Sequence, residues 1–194
     1  MWDYSFIIPD LIILYTFAIY YFVHTRLPIK INHSFLRILF VNFFTIIFDV
    51  FASLAIENAD KTNSFVIRAL NAIYFVLFFY RIFAFFIFTE DVLGIKRHGK
   101  SFVSIISCIF FAGFELFAFL NFRFDLIFSI SDSGKYSPAR FYNLIYVCAA
   151  FYIVFSFACI IFYHKKITRS ALLALCSFNC SLLIGYIARF AFPM

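Results

Sequence analysis

Runs of apolar residues separated by polar connections repeat along the whole chain, at 5–23, 34–56, 64–89, 102–120, 141–163 and 170–192. A helix needs about 20 such residues to cross the hydrocarbon of a bilayer. The pattern therefore predicts an all-α integral membrane protein: a six-transmembrane-helix bundle forming a single polytopic domain over 1–194. Only the connection at 121–140 is long. In it Leu126, Phe128 and Ile130 alternate with Ile127, Ser129 and Ser131, and Asp132-Ser133-Gly134 then reads as a turn before Lys135-Tyr136-Ser137-Pro138. That alternation predicts a short β-hairpin near 126–138, or a strand-like loop, lying over the bundle. It is either a connector or a lid on a pocket beneath.

The polar residues inside the apolar runs form a pattern of their own. A charge in hydrocarbon costs on the order of 3 kcal/mol, so each one calls for a partner or a function. On the second run Asn42, Thr45, Asp49 and Ser53 share a narrow arc of a helix, and on the third Arg68, Asn71, Tyr74 and Arg81 are similarly confined. Counted from the ends of their runs, Asp49, Arg68, Asn71, Glu115 and Arg189 fall in one slab about 5–10 Å below one surface. Asn42 and Arg81 lie deeper, towards the opposite surface. Two readings of the slab stay open and are compatible. Asp49 pairs with Arg68 or Asn71 and joins the second and third helices, or the slab is a polar pocket for a small ligand or a proton.

Charge sets the expected orientation. Nine basic residues fall in or beside the first, third and fifth connections, four in the others, and three (Arg68, Arg81, Arg189) within the runs. Basic connections remain in the cytoplasm, which places the N-terminus outside a plasma membrane and the slab at the outer face. The net charge of +6 is absorbed by this anchoring and implies no nucleic-acid partner. The start, Met1-Trp2-Asp3-Tyr4, has no basic segment and no small-residue cleavage site, so the first run is expected to be retained. Mean hydropathy is +0.98, with 65% hydrophobic and 13% charged residues, which makes the lipid bilayer the expected solvent. Of the residues, 24% are aromatic, including 34 Phe. Phe falls on every face of every run, as a coding bias would produce, though an aromatic-lined cavity would also use it.

Candidate chemistry adds little. The five cysteines (Cys108, Cys148, Cys159, Cys176, Cys180) all lie in apolar runs, which argues against a disulfide framework. Cys176 and Cys180 share a helix face, but no His, Asp or Glu stands near them to complete a metal site. All four histidines (His24, His33, His98, His164) sit in or beside basic connections. HExxH, GxSxG and a phosphate-cradling glycine loop are all absent from the sequence. His98 and Cys108 stand on either side of a run boundary, not close together as in an intramembrane cysteine peptidase. The expectation is a chain without catalytic activity and without a cofactor.

Several short motifs together resemble a known family. They are Tyr4-Ser5-Phe6; Arg26-Leu27-Pro28-Ile29 with Asn32 and Phe35-Leu36; Thr45-Ile46-Ile47-Phe48-Asp49-Val50 with Ser53; Leu70-Asn71-Ala72-Ile73-Tyr74-Phe75; Ser131 to Tyr136; and Phe190-Ala191-Phe192-Pro193. In these the chain resembles the multi-spanning N-terminal membrane region found ahead of GGDEF (diguanylate cyclase) domains in gut Firmicutes signalling proteins. The resemblance implies a sensory, input module whose cytoplasmic output domain makes cyclic di-GMP. It also implies a homodimer formed through that output domain. The sequence holds no GGDEF signature and ends directly after the sixth run, so a sensor fragment, a stand-alone input module or a truncated gene is expected. Two other classes remain open: a substrate-binding subunit of a small-molecule transporter, and a structural membrane protein. Small-residue docking motifs in the first run would favour the transporter, and 11–14 and 17–19 show none.

Overall fold

A computed structural model describes residues 7–23, 29–95, 102–131 and 135–191. Among the described residues there are six α-helices and one β-hairpin: α1 (Ile7–Val23), α2 (Ile29–Glu57), α3 (Ser64–Val92), α4 (Phe102–Phe124), β1 (Phe128–Ile130), β2 (Tyr136–Pro138), α5 (Leu144–Tyr163) and α6 (Arg169–Ala191). Four of these helices are long and apolar enough to cross a membrane, over Ile31–Glu57, Ser64–Val92, Phe102–Phe124 and Leu144–Tyr163. In α1 and α6 the described residues include the apolar stretches Leu14–Val23 and Arg169–Ile184. An all-α membrane protein is therefore what the chain forms.

The centre of the bundle is α3. It packs most extensively against α2 and also contacts α4 and α5, while α1 lies against α2 and α6 against α5. Its buried positions (Ile67, Asn71, Phe75, Phe79, Phe83, Phe86, Ile87 and Glu90) recur every three or four residues and line one continuous stripe. Phe83 stacks on Phe111 of α4 with ring centroids 4.2 Å apart, and Phe86 stacks on Phe155 of α5 at 5.0 Å. Phe also covers the periphery: Phe102 and Phe119 are 76% exposed and Phe162 is 81% exposed. In an apolar solvent such a face carries no penalty, so the abundance of Phe serves the core and the lipid-facing surface alike.

The helix ends have local causes. Asn63 caps α3, its side chain accepting a hydrogen bond from the Phe65 amide at 2.8 Å. At the other end Gly94 adopts φ +66, which only a residue without Cβ takes up freely, and the Ile95 amide closes back on the Glu90 carbonyl at 3.0 Å. The helix therefore runs past Thr89, where the apolar run ends, and takes Glu90 and Asp91 into its last turn. Similarly α4 continues past Leu120 to Phe124 and stops where Asp125 turns to φ 48.

The expected hairpin is present. β1 and β2 pair antiparallel, Phe128 opposite Pro138, Ser129 opposite Ser137 and Ile130 opposite Tyr136. The ladder extends through Ser131 N–H to Lys135 O at 3.0 Å and Ala139 N–H to Ile127 O at 2.9 Å. Phe128 and Ile130 are buried against the bundle, and Ser129 points the other way and meets the Ser137 hydroxyl at 2.7 Å. The turn residues 132–134 lie outside the described residues.

Candidate functional site

Three contacts dock the hairpin onto the bundle. Asn121, on the last turn of α4 and 0% exposed, accepts hydrogen bonds at Oδ1 from the Ile127 amide and, at 3.1 Å, from the Phe128 amide. A side chain with two acceptor lone pairs is well suited to this, since it satisfies two backbone donors that the chain reversal leaves free. Phe128 stacks between Phe75 of α3 (5.3 Å) and Tyr136 of β2 (5.8 Å). Arg68, near the start of α3, places Nη1 2.9 Å from Asp125 Oδ1 and donates to two carbonyls, Phe122 O at 3.4 Å and Ile130 O at 3.3 Å. Arg68 thus ties α3 to the end of α4 and to β1 at once.

The quality of that clamp is uneven. Asp125 Oδ1 is close to the guanidinium yet makes no hydrogen bond, so the pair is one of charge without directed geometry. Both carbonyl contacts are near the long limit. The two side chains are 25% and 40% exposed, in the range where ion pairs contribute little, about 0–1 kcal/mol. Burial, followed by the nearby Tyr142 and Tyr74, holds the Tyr136 hydroxyl well above the usual tyrosine range.

The residues marked in the sequence are only partly brought together. Arg68 and Asn71 both stand at the hairpin end, one turn apart on α3. The ion pair of Arg68 runs to Asp125, and buried Asn71 donates its amide to Ile67 O of its own helix at 2.9 Å. Asp49 is half-buried on α2 and engaged with its surroundings. Glu115 is half-buried on α4, and its Oε1 is enclosed without a hydrogen-bond partner. Farther along α3, about 20 Å from Arg68 at 1.5 Å per residue, the Arg81 guanidinium sits over the Phe78 ring, 5.0 Å from its centroid. Asn42 is half-buried on α2. Arg189 belongs to α6, but its side chain lies outside the described residues.

A second polar layer, at the opposite end of α3, is absent from that set. Glu90 is 1% exposed and accepts a hydrogen bond from Ser104 Oγ of α4 at 2.8 Å. Asp91 accepts one from Ser34 Oγ of α2. The seam continues as Ser107 Oγ donates to Ser104 O (3.0 Å) and the Tyr152 hydroxyl of α5 donates to Ser107 O (2.7 Å). Four helices are joined here through hydroxyls and carboxylates. The signal for it is register: Glu90 continues the stripe of Phe79, Phe83 and Phe86, but as one of two adjacent acids at the edge of the run 64–89 it reads as a polar border.

Two grooves on the flanks are almost wholly apolar. One, of about 170 Å³, lies between α1 and α2 and is lined by Leu14, Ala18, Leu36 and Phe40 among others. The other, of about 620 Å³, follows one face of α5 past Val147, Ala150, Val154 and Ala158. Neither is lined by the clamp residues. All five cysteines are free thiols.

Set against known protein families, curated proteins and solved structures, the chain matches none of them.

Proposed function

We propose that this chain is the membrane-embedded input module of a bacterial signalling protein, detecting a signal at the outer face of the plasma membrane. In this reading all six helices cross the bilayer, and the N-terminus and the hairpin are outside. The polar seam around Glu90 then faces the cytoplasm, and an output domain of the diguanylate cyclase type lies elsewhere. The chain itself carries no catalysis. The family resemblance of the short motifs and the nine basic residues in the first, third and fifth connections support this arrangement.

One observation carries the reading. A single 29-residue helix, α3, is held at one end by the hairpin through Arg68 and Phe75, and at the other by α2 and α4 through Asp91 and Glu90. A rigid element of about 40 Å with a distinct partner set at each end can pass a small shift from one set to the other.

Topology gives the test. Six crossings from an outer N-terminus leave Met194 outside, where a cytoplasmic enzyme cannot be attached directly. A diguanylate cyclase fused to Met194 should show no activity in cells, and insertion of one apolar span before it should restore cyclic di-GMP synthesis. Substitutions of Asp49, Arg68 or Asp125 should then alter that activity. A direct fusion that is fully active contradicts the six-crossing topology. A restored fusion indifferent to all three positions reduces the bundle to an anchor.

A further inference from the structure

We propose that the Arg68–Asp125 clamp is an oxyanion-exchange site, at which a small group of carboxylate or phosphate chemistry takes Arg68 over from Asp125 and loosens the hairpin. The proposal rests on the hairpin end being the input end and names what that end recognises.

The argument begins with the guanidinium. Its five donors lie in a plane that suits a bidentate oxyanion. Here it is served by two neutral carbonyls at 3.3 and 3.4 Å and by a carboxylate oxygen that is near in distance but takes no hydrogen bond. An incoming oxyanion can offer this guanidinium directed bonds that none of its present partners provides. A quarter of the Arg68 side chain is already exposed, so the guanidinium is not sealed inside the bundle.

A second donor waits in the same turn of α4. Asn121 uses Oδ1 for the two hairpin amides, while its Nδ2 is enclosed and donates to nothing among the described residues. Phe122, the next residue, supplies one of the carbonyls on Arg68, and the Asp125 amide bonds back to Asn121 O at 3.2 Å. Arg68 and Asn121 therefore both bear on one short segment running from α4 into β1, and Asn121 keeps one buried donor unused there. A buried donor left unsatisfied is costly, and a ligand oxygen would relieve it.

The competitor is poised to leave. Asp125 has φ 48, a left-handed conformation that a non-glycine residue holds only against a cost, and freeing its carboxylate removes one restraint on that backbone. Within the connection itself three basic residues, Arg123, Lys135 and Arg140, stand beside Asp125 and Asp132. Once Asp125 is displaced and Arg68 turns to the ligand, the bond from Nη2 to Ile130 O is lost, and of the three docking contacts only those of Asn121 and Phe128 remain.

The whole chain in nanodiscs of zwitterionic lipid provides the test, read by hydrogen exchange over 126–131. Inorganic phosphate titrated against chloride at constant ionic strength should raise exchange saturably at the Ser131 amide, beside the carbonyl that Arg68 releases, with the α3 core unchanged. Asp125→Asn should raise the basal exchange and lower the half-saturating phosphate roughly tenfold, the size of a lost competing interaction of ordinary strength. Arg68→Gln should abolish the phosphate response. If it does not fold, Arg68→Lys, which keeps charge but not the fork, should weaken it. Discs containing phosphatidylglycerol without phosphate separate the sources: opening there assigns a lipid headgroup, opening with soluble phosphate alone assigns a solute. Exchange that ignores both anions, or an Arg68 variant that responds like the wild type, overturns the proposal. Such a failure would leave the fusion experiment above untouched, because that experiment reads sidedness and relay without assuming an anion.

Discussion

Glu90 and Arg68 show how two charged residues on one helix meet opposite fates. Glu90 is almost fully enclosed and holds a 2.8 Å hydrogen bond from Ser104, whereas Arg68 is a quarter exposed and loosely held. Enclosure raises the stakes of each bond, since a donor removed from a buried carboxylate is not replaced by water. Ser104→Ala should therefore destabilise the bundle by about 1–3 kcal/mol in detergent unfolding. Glu90→Gln, which keeps an acceptor oxygen for Ser104, should cost less than Glu90→Leu, which leaves the Ser104 hydroxyl without one. If Ser104→Ala unfolds together with the wild type, the Glu90–Ser104 contact is not holding α3 to α4.

At the scale of elements the hairpin carries a pH dependence of its own. Tyr136 has its hydroxyl pushed above the ordinary value of 10.0 by burial, so the folded hairpin prefers the neutral phenol more strongly than the unfolded chain does. The associated stability is fully present below the ordinary value and is lost as pH rises beyond it towards the folded value. Alkaline titration followed by tyrosinate absorbance and near-ultraviolet circular dichroism should show the hairpin loosening above about pH 10. Tyr136→Phe should remove that component; a variant that loosens at the same pH would assign the transition to another group. The hairpin was legible in the sequence because alternation of Phe128, Ser129 and Ile130 is a local signal, and the apolar lengths gave the helices for the same reason. What docks the hairpin was not legible. Asn121 acts through a side chain bonded to backbone amides across a reversal, which leaves no periodic trace. Asp125 meets Arg68 only because two distant helix ends converge, and Asp49 on the neighbouring run is an equally good partner by sequence. Glu90 and Asp91 look like the edge of a run, although Gly94 two residues beyond Val92 marks the true stop.

For the whole molecule, the central place of α3 has a consequence for how the protein is made. Only the short turn at 58–63 separates α2 from α3, and the closure is local: Lys61 and Thr62 amides bond to Asn58 O at 3.0 Å, and Asn63 caps the next helix. The most extensive helix pair of the bundle is thus also among the first to be synthesised. Short loops close at little entropic cost, and helices already inserted in a bilayer associate by packing, without further burial from water. A growing chain should hold a paired α2–α3 template in the membrane before α4 or α5 leaves the ribosome, and those later helices would dock on a surface already formed. Translation stopped after Ile95 should accordingly yield a membrane-inserted fragment in which cysteines placed at facing α2 and α3 positions cross-link as efficiently as in the full chain. Cross-linking that appears only once α5 has been made would mean that the centre of the bundle is assembled last.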